Sequence, residues 1–196
     1  MNAQGQIRLF IAVDTPAAVR SALARLKGEL APLVRAFRWE EPEKYHCTIQ
    51  FLGAVPGSAL GAITGCVDRA SAAVPPLALA YRGLGVFPVP AAPRVFWVGI
   101  DDTTGGLAAL RGLIGGALAP LGFPPEDRPF HPHLTLARAR PGADARALID
   151  TMQRRTFEHP PVTVPSVEIM QSIPVAGGTA YRVLASLALR GAAAGS

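Results

Sequence analysis

Apolar and polar residues recur along the chain with two periods, one of two residues and one near 3.6. The first apolar segment, Ile7-Arg8-Leu9-Phe10-Ile11-Ala12-Val13, is short and rich in β-branched and aromatic residues, and reads as a buried strand. Asp14-Thr15-Pro16 follows as a helix start, with Thr15 as candidate N-cap and Pro16 at the first helical position. Val19, Leu23, Leu26 and Leu30 then keep helical spacing until Pro32, which ends or kinks the helix. Phe37 to Glu40 is a short extended piece, and Tyr45 to Leu52 alternates as a strand ending at Gly53. A second helix runs from near Ser58 to about Ala72, and Pro75-Pro76 breaks the chain before a strand from Leu77 to Tyr81.

The later part of the chain continues the pattern. Gly83 to Pro93 is rich in Gly and Pro and is expected to be a loop with a β-like core, before a strand from Arg94 to Ile100. A third helix spans Gly106 to Ala119, where Gly112, Gly115 and Gly116 each cost roughly 1 kcal/mol relative to Ala. His131 to Ala137 is a strand that tolerates Pro132 at its start, and Asp144 caps a fourth helix reaching about Arg155. His159 falls in a loop. Val162 to Met170 is extended, with Pro165 making its first half an edge or a bulge, and Tyr181 to Leu189 is the last strand.

Several strands follow one another without a crossover helix, which predicts an α+β fold with mixed or mostly antiparallel sheets and outer helices. The order is roughly doubled, each half carrying two helices and one His-x-Thr strand. No long linker separates the halves, so residues 1–190 are expected to form one bilobal, pseudo-duplicated domain, with a disordered tail over 191–196.

Composition adds four constraints. The 196 residues are 49% hydrophobic, enough for one packed core. No apolar run spans a bilayer and the N-terminus does not read as a signal peptide, so the expected location is cytoplasmic. Cys47 and Cys66 belong to no C-x-x-C pair and are expected to be small buried residues. The net charge of +5, carried almost wholly by arginine, suits anionic partners such as nucleic acid or phosphorylated substrates. A composition rich in Arg, Ala, Gly and Pro can equally reflect a GC-rich genome.

The chemistry rests on a repeated pattern. His46-Cys47-Thr48-Ile49 and His133-Leu134-Thr135-Leu136 both read His, apolar, Thr, apolar within predicted strands. Residues two apart on a strand share a face, so His46 with Thr48, and His133 with Thr135, point together while their neighbours point into the core. Two such strands side by side present two imidazoles and two hydroxyls to one cleft. One imidazole can accept a proton from water while the other donates to a departing oxygen, and the hydroxyls can donate to phosphate oxygens. Histidine, with an ordinary pKa of about 6.5, offers both forms near neutral pH.

His131-Pro132-His133 is also an H-x-H that metal-assisted hydrolysis could use. The neighbourhood supplies no carboxylate at useful spacing, since Glu126 and Asp127 lie upstream in a Pro-rich loop, which argues against a metal. His131 is read instead as supporting the strand end or orienting a neighbour.

These motifs resemble those of the 2H phosphoesterase superfamily, in particular its RNA 2′,3′-cyclic phosphodiesterases, also called 2′-5′ RNA ligases. The resemblance is carried by Tyr45-His46-Cys47-Thr48-Ile49-Gln50-Phe51-Leu52-Gly53 and Phe130-His131-Pro132-His133-Leu134-Thr135-Leu136-Ala137-Arg138. The opening strand, Gly83 to Pro88, Arg94 to Gly99, and Gln171-Ser172 with Tyr181 add to it. It implies a cleft between two lobes, no cofactor and no metal. It also implies hydrolysis of an RNA-terminal 2′,3′-cyclic phosphate to a 2′-phosphate, and the chain is expected to act as a monomer. His46 would then be the acid on the leaving 3′ oxygen and His133 the base on water, with Thr48 and Thr135 holding the phosphate. Arg138 matches an arginine that follows the second motif; strict alternation points it away from the cleft, so a bulge or strand end must redirect it. The residues alone leave three alternatives open. An RNA-binding module without turnover could use Phe37, Trp39, Phe87 and Trp97, and the same acid and base could serve 2′-5′ ligation or a small cyclic nucleotide.

Overall fold

The structure is a computed structural model that describes residues 5–88, 93–176 and 178–192. Along the chain run β1 (Gln6–Asp14), α1 (Ala17–Leu30), β2 (Phe37–Trp39), β3 (His46–Pro56), α2 (Leu60–Ala72) and β4 (Leu77–Phe87). They are followed by β5 (Val95–Asp101), α3 (Gly106–Leu118), β6 (His133–Ala139), α4 (Arg146–Arg154), β7 (Glu158–Val164), β8 (Ser166–Val175) and β9 (Gly178–Ala188). Strands β3-β1-β8-β9 form one sheet and β2-β6-β5-β4-β7 the other, with every pairing antiparallel. The α+β, largely antiparallel class read from the sequence is the one observed.

A single large hydrophobic cluster joins the two sheets to the helices. Leu9, Ile11 and Val13 of β1 belong to it, as do Phe96 and Val98 of β5 and the periodic Val19, Leu23, Leu26 and Leu30 of α1. The doubling holds for the order of elements: α1, α2 and β3 fall in one half, α3, α4 and β6 in the other. It does not hold for the sheets. β4 and β5 cross to the sheet that contains β6, and β8 and β9 return to the sheet that contains β1.

Several local expectations are corrected. The N-cap of α1 is Pro16, and the Thr15 hydroxyl is buried with no hydrogen-bond partner among the described residues, so it does not cap the helix. Gly53 does not end its strand; at φ +72 it sits beside a register shift, and β3 continues to Pro56. Gly83 likewise takes positive φ at an irregularity of the β4–β5 pairing, so the predicted loop is strand as far as Phe87. The remainder of that expected loop, residues 89–92, lies outside the described residues, as do residues 193–196 of the expected tail. Pro165 separates β7 from β8, which belong to different sheets. His159 is in β7 opposite Tyr81, and Pro160-Pro161 is tolerated there because β7 is an edge strand. Asp144 accepts a hydrogen bond from the Arg146 amide at 2.9 Å but stands two residues ahead of α4, whose N-cap position is Ala145.

The β4–β5 pairing positions a side chain of consequence for the cleft. Gly85 lies opposite Trp97, and a Cβ at residue 85 would stand 2.0 Å from Trp97 Cζ2. Glycine is therefore required for the indole to lie across β4. Gly85→Ala is expected to lower stability by about 1–3 kcal/mol, the usual cost of overpacking, as measured by urea denaturation followed through Trp fluorescence.

Candidate active site

The two His-x-Thr strands are built alike beyond the motif. In β3, residues 46–51 run half-buried, buried, half-buried, buried, buried, exposed; in β6, residues 133–138 run identically. The break in alternation has the same origin in both. Ala12 pairs with Thr48 but Ile11 with Gln50, leaving Ile49 as an extra residue. Trp97 pairs with Thr135 but Phe96 with Ala137, leaving Leu136 as the extra residue. Each motif is thus followed at once by a β-bulge, which reverses the facing of everything after it. That reversal turns Arg138 into the cleft, as its predicted role requires. It does the same for Phe51, the residue five after His46, which the sequence reading passed over.

The strands face each other across a cleft of about 540 Å³. All five predicted site residues, His46, Thr48, His133, Thr135 and Arg138, line it. The intervening Cys47 and Leu134 are in the core, where burial pushes the Cys47 thiol up to about 12 and leaves it unreactive.

Each imidazole is oriented by its own main chain. His46 Nδ1 lies 2.7 Å from the Lys44 carbonyl and His133 Nδ1 2.6 Å from the His131 carbonyl. A carbonyl only accepts, so each Nδ1 carries the proton and each Nε2 is left to gain or lose one. His131 therefore does support its neighbour, through its backbone. Aromatic rings flank both imidazoles. His46 sits 4.9 Å from Phe10 and edge-on to Tyr181 at 5.0 Å; His133 is edge-on to Phe87 at 5.1 Å and 6.1 Å from Trp97. Burial lowers the pKa of both histidines from 6.5, against the opposing effect of the carbonyl hydrogen bonds. The positive charge of Arg138 lowers both further.

Arg138 itself is held from behind. Glu40, only 13% exposed, lies 3.4 Å from Arg138 Nε and 3.8 Å from Arg38 Nη2, and its amide donates to the Leu136 carbonyl at the bulge. Nothing in the Phe37-Arg38-Trp39-Glu40 sequence marked Glu40 for this place. Of the aromatics considered for RNA binding, Phe37 is in the core and Trp39 packs edge-on against Phe96, whereas Phe87 lines the cleft. His159 is remote from it. Among the described residues no three His, Cys, Asp or Glu side chains are grouped to hold a metal ion, and no helix is long and apolar enough to cross a membrane.

The doubled site has a counterpart in known proteins. Residues 13–97 and 98–181 each match the LigT like Phosphoesterase family. The chain belongs to that family. Among curated LigT-like relatives, an RNA 2′,3′-cyclic phosphodiesterase of Aeropyrum pernix is 35% identical over 83% of this chain and 92% of its own length. One of Aquifex aeolicus is 27% identical over 94% of this chain and 98% of its own. A solved structure from Thermus thermophilus superposes with a TM-score of 0.80 at 27% identity, covering 94% of this chain and 99% of that one. E. coli LigT complexed with 3′-AMP gives a TM-score of 0.75 at 28% identity over 94% and 98%.

Two outcomes follow from this LigT-like site. Imidazole NMR of the free protein is expected to show His46 and His133 titrating below 6.5, and Arg138→Ala to move both upward by removing a positive charge. Because their folded values lie below the unfolded value, these histidines cost no stability above pH 6.5. They subtract from it as pH falls from 6.5 through the folded values, a loss that His46→Phe should reduce in denaturant titrations at pH 5 and 7.

Proposed function

We propose that this chain hydrolyses RNA-terminal 2′,3′-cyclic phosphates to 2′-phosphates, with two histidines as acid and base and without a metal. The observation that carries the reading is the pair of imidazoles with Nδ1 fixed on a carbonyl and Nε2 free, set in one cleft with two threonines. The family supports the substrate, since curated relatives bear that activity in their names.

In the reaction, His133 Nε2 takes a proton from water as its oxygen bonds to phosphorus. The P–O3′ bond breaks, and the proton on His46 Nε2 passes to O3′ to leave a 3′-hydroxyl and a 2′-phosphate. Each turnover ends with His133 protonated and His46 neutral, so proton exchange with solvent must restore the pair. The Thr48 and Thr135 hydroxyls and the Arg138 guanidinium bind the non-bridging oxygens, where charge concentrates in the transition state. The bound phosphate also raises the lowered histidine pKa values, which helps His46 hold its proton until it is needed. The protein is read as a cytoplasmic monomer, in keeping with its basic surface and an RNA-end substrate.

Hydrolysis of an oligoribonucleotide ending in a 2′,3′-cyclic phosphate is expected to persist in EDTA and to yield only the 2′-phosphate. His46→Ala and His133→Ala should each lower kcat by about 10²–10⁴-fold. Full activity in either variant, loss of activity in EDTA, or RNA binding without turnover would overturn the proposal. The pH dependence of kcat/KM should peak below 6.5, because both histidines titrate low in the free protein, and that of kcat should peak at higher pH.

A further inference from the structure

The cleft is longer than the phosphate seat. Past Thr48, its β3 wall continues through Phe51 and Gly53, and the adjacent β1 places Arg8 opposite Ala54. Ala12 is the β1 partner of Thr48, so Arg8 stands four residues along β1 from that level, on the order of 13 Å. Arg8 is exposed, lines the cleft and forms no ion pair among the described residues. Its backbone is thus set along the wall, away from the level of Thr48 and Thr135.

A second guanidinium reaches the cleft from the segment between α3 and β6. That segment is fastened at several points. Gln50, the buried bulge residue of the first motif, donates through Nε2 to the carbonyls of Phe123 at 3.0 Å and Pro124 at 3.2 Å. Arg111 donates to the Glu126 carbonyl at 2.9 Å and lies 5.1 Å from the centre of the Phe130 ring. Between these anchors Arg128 lines the cleft with its side chain 88% exposed and, among the described residues, pairs only with Glu126 at 3.4 Å. The carboxylate that lines the cleft, Glu40, is committed to Arg38 and Arg138. Arg8 and Arg128 thus present positive charge that the reaction at the terminal phosphate does not use.

We infer that Arg8 and Arg128 form a second phosphate subsite, which binds the backbone phosphodiesters upstream of the reacting end and selects oligonucleotides over mononucleoside cyclic phosphates. The inference rests on the reading of the cleft as a site for RNA ends and adds the subsite to it. A backbone phosphate offers fixed negative charge at every nucleotide, so contacts to it raise affinity without depending on base identity.

The test compares wild type with Arg8→Ala and Arg128→Ala, both at exposed positions. One assay measures kcat/KM on a mononucleoside 2′,3′-cyclic phosphate and on a short oligoribonucleotide with the same terminus. The other measures anisotropy of a labelled oligoribonucleotide ending in a 2′-phosphate, which needs no turnover. Each substitution is expected to lower the ratio of oligonucleotide to mononucleotide kcat/KM by about threefold to tenfold, through KM. Each should also reduce the log–log salt dependence of oligonucleotide binding by about 0.7. An unchanged ratio with unchanged anisotropy, or equal losses on both substrates, would overturn the subsite. Should wild type hydrolyse neither substrate, the functional proposal falls, and the anisotropy comparison alone still decides whether Arg8 and Arg128 bind the backbone.

Discussion

A β-strand shows alternate side chains to alternate faces, so a histidine and a threonine two residues apart share a cleft but a side chain five residues on does not. The bulge after each motif removes that limit. It absorbs one residue, Ile49 in β3 and Leu136 in β6, and so brings Phe51 and Arg138 round to the side of the imidazoles. The bulges also keep the core intact, because two consecutive residues on each strand, Ile49 with Gln50 and Leu136 with Ala137, are buried behind the turn. Gln50 uses that position to anchor the chain ahead of the second motif, and the Leu136 carbonyl accepts from the amide of Glu40. Site and support thus come from the same irregularity, made twice.

The electrostatics of the cleft pull in two directions. Aromatic neighbours and burial favour neutral imidazoles, while a phosphate needs positive charge and an acid needs a proton. Arginine resolves part of this, since it stays charged wherever it is placed. Glu40 then balances Arg138 and Arg38 from a half-buried position in the cleft wall. In the free protein both histidines tend to the neutral form, and under the proposed mechanism the anionic substrate would supply the charge that favours protonation.

Much of this was legible in the chain because the signals were short-range. The His-x-Thr pairs, the strand periods and the helix that follows Pro16 all depend on neighbours within a few residues. The need for a bulge before Arg138 was legible too, as a conflict between alternation and role. What could not be read was the pairing that resolves it. Phe51 occupies the same place in the first motif that Arg138 occupies in the second, and aligning the two motifs residue by residue would have shown it. Glu40 and Arg8 enter the cleft through the strand order and Arg128 through the segment that Gln50 and Arg111 fasten, and no local pattern encodes such distant neighbours. The ends placed at Gly53 and Gly83 failed for a related reason. Glycine at positive φ marks an irregularity, and within a sheet that irregularity can be a register shift rather than a turn.

The crossing of strands between sheets has a consequence for how firmly the histidines are set. His46, from the first matched repeat, packs against Phe10 at the start of the chain and against Tyr181 at the end of the second repeat. His133, from the second repeat, packs against Phe87 and Trp97 of the first. Each repeat fixes the tautomer of its own imidazole through the main chain, but neither encloses that imidazole alone. β1 lies between β3 and β8, so the ladder that carries His46 is continuous with strands from the far end of the chain. In the proposed reaction the two histidines act as acid and base on opposite sides of one phosphorus, and such a pair must keep its separation closely to act together. Exchange of strands between the repeats meets that demand, because moving one histidine relative to the other requires breaking hydrogen-bonded sheet rather than bending a linker.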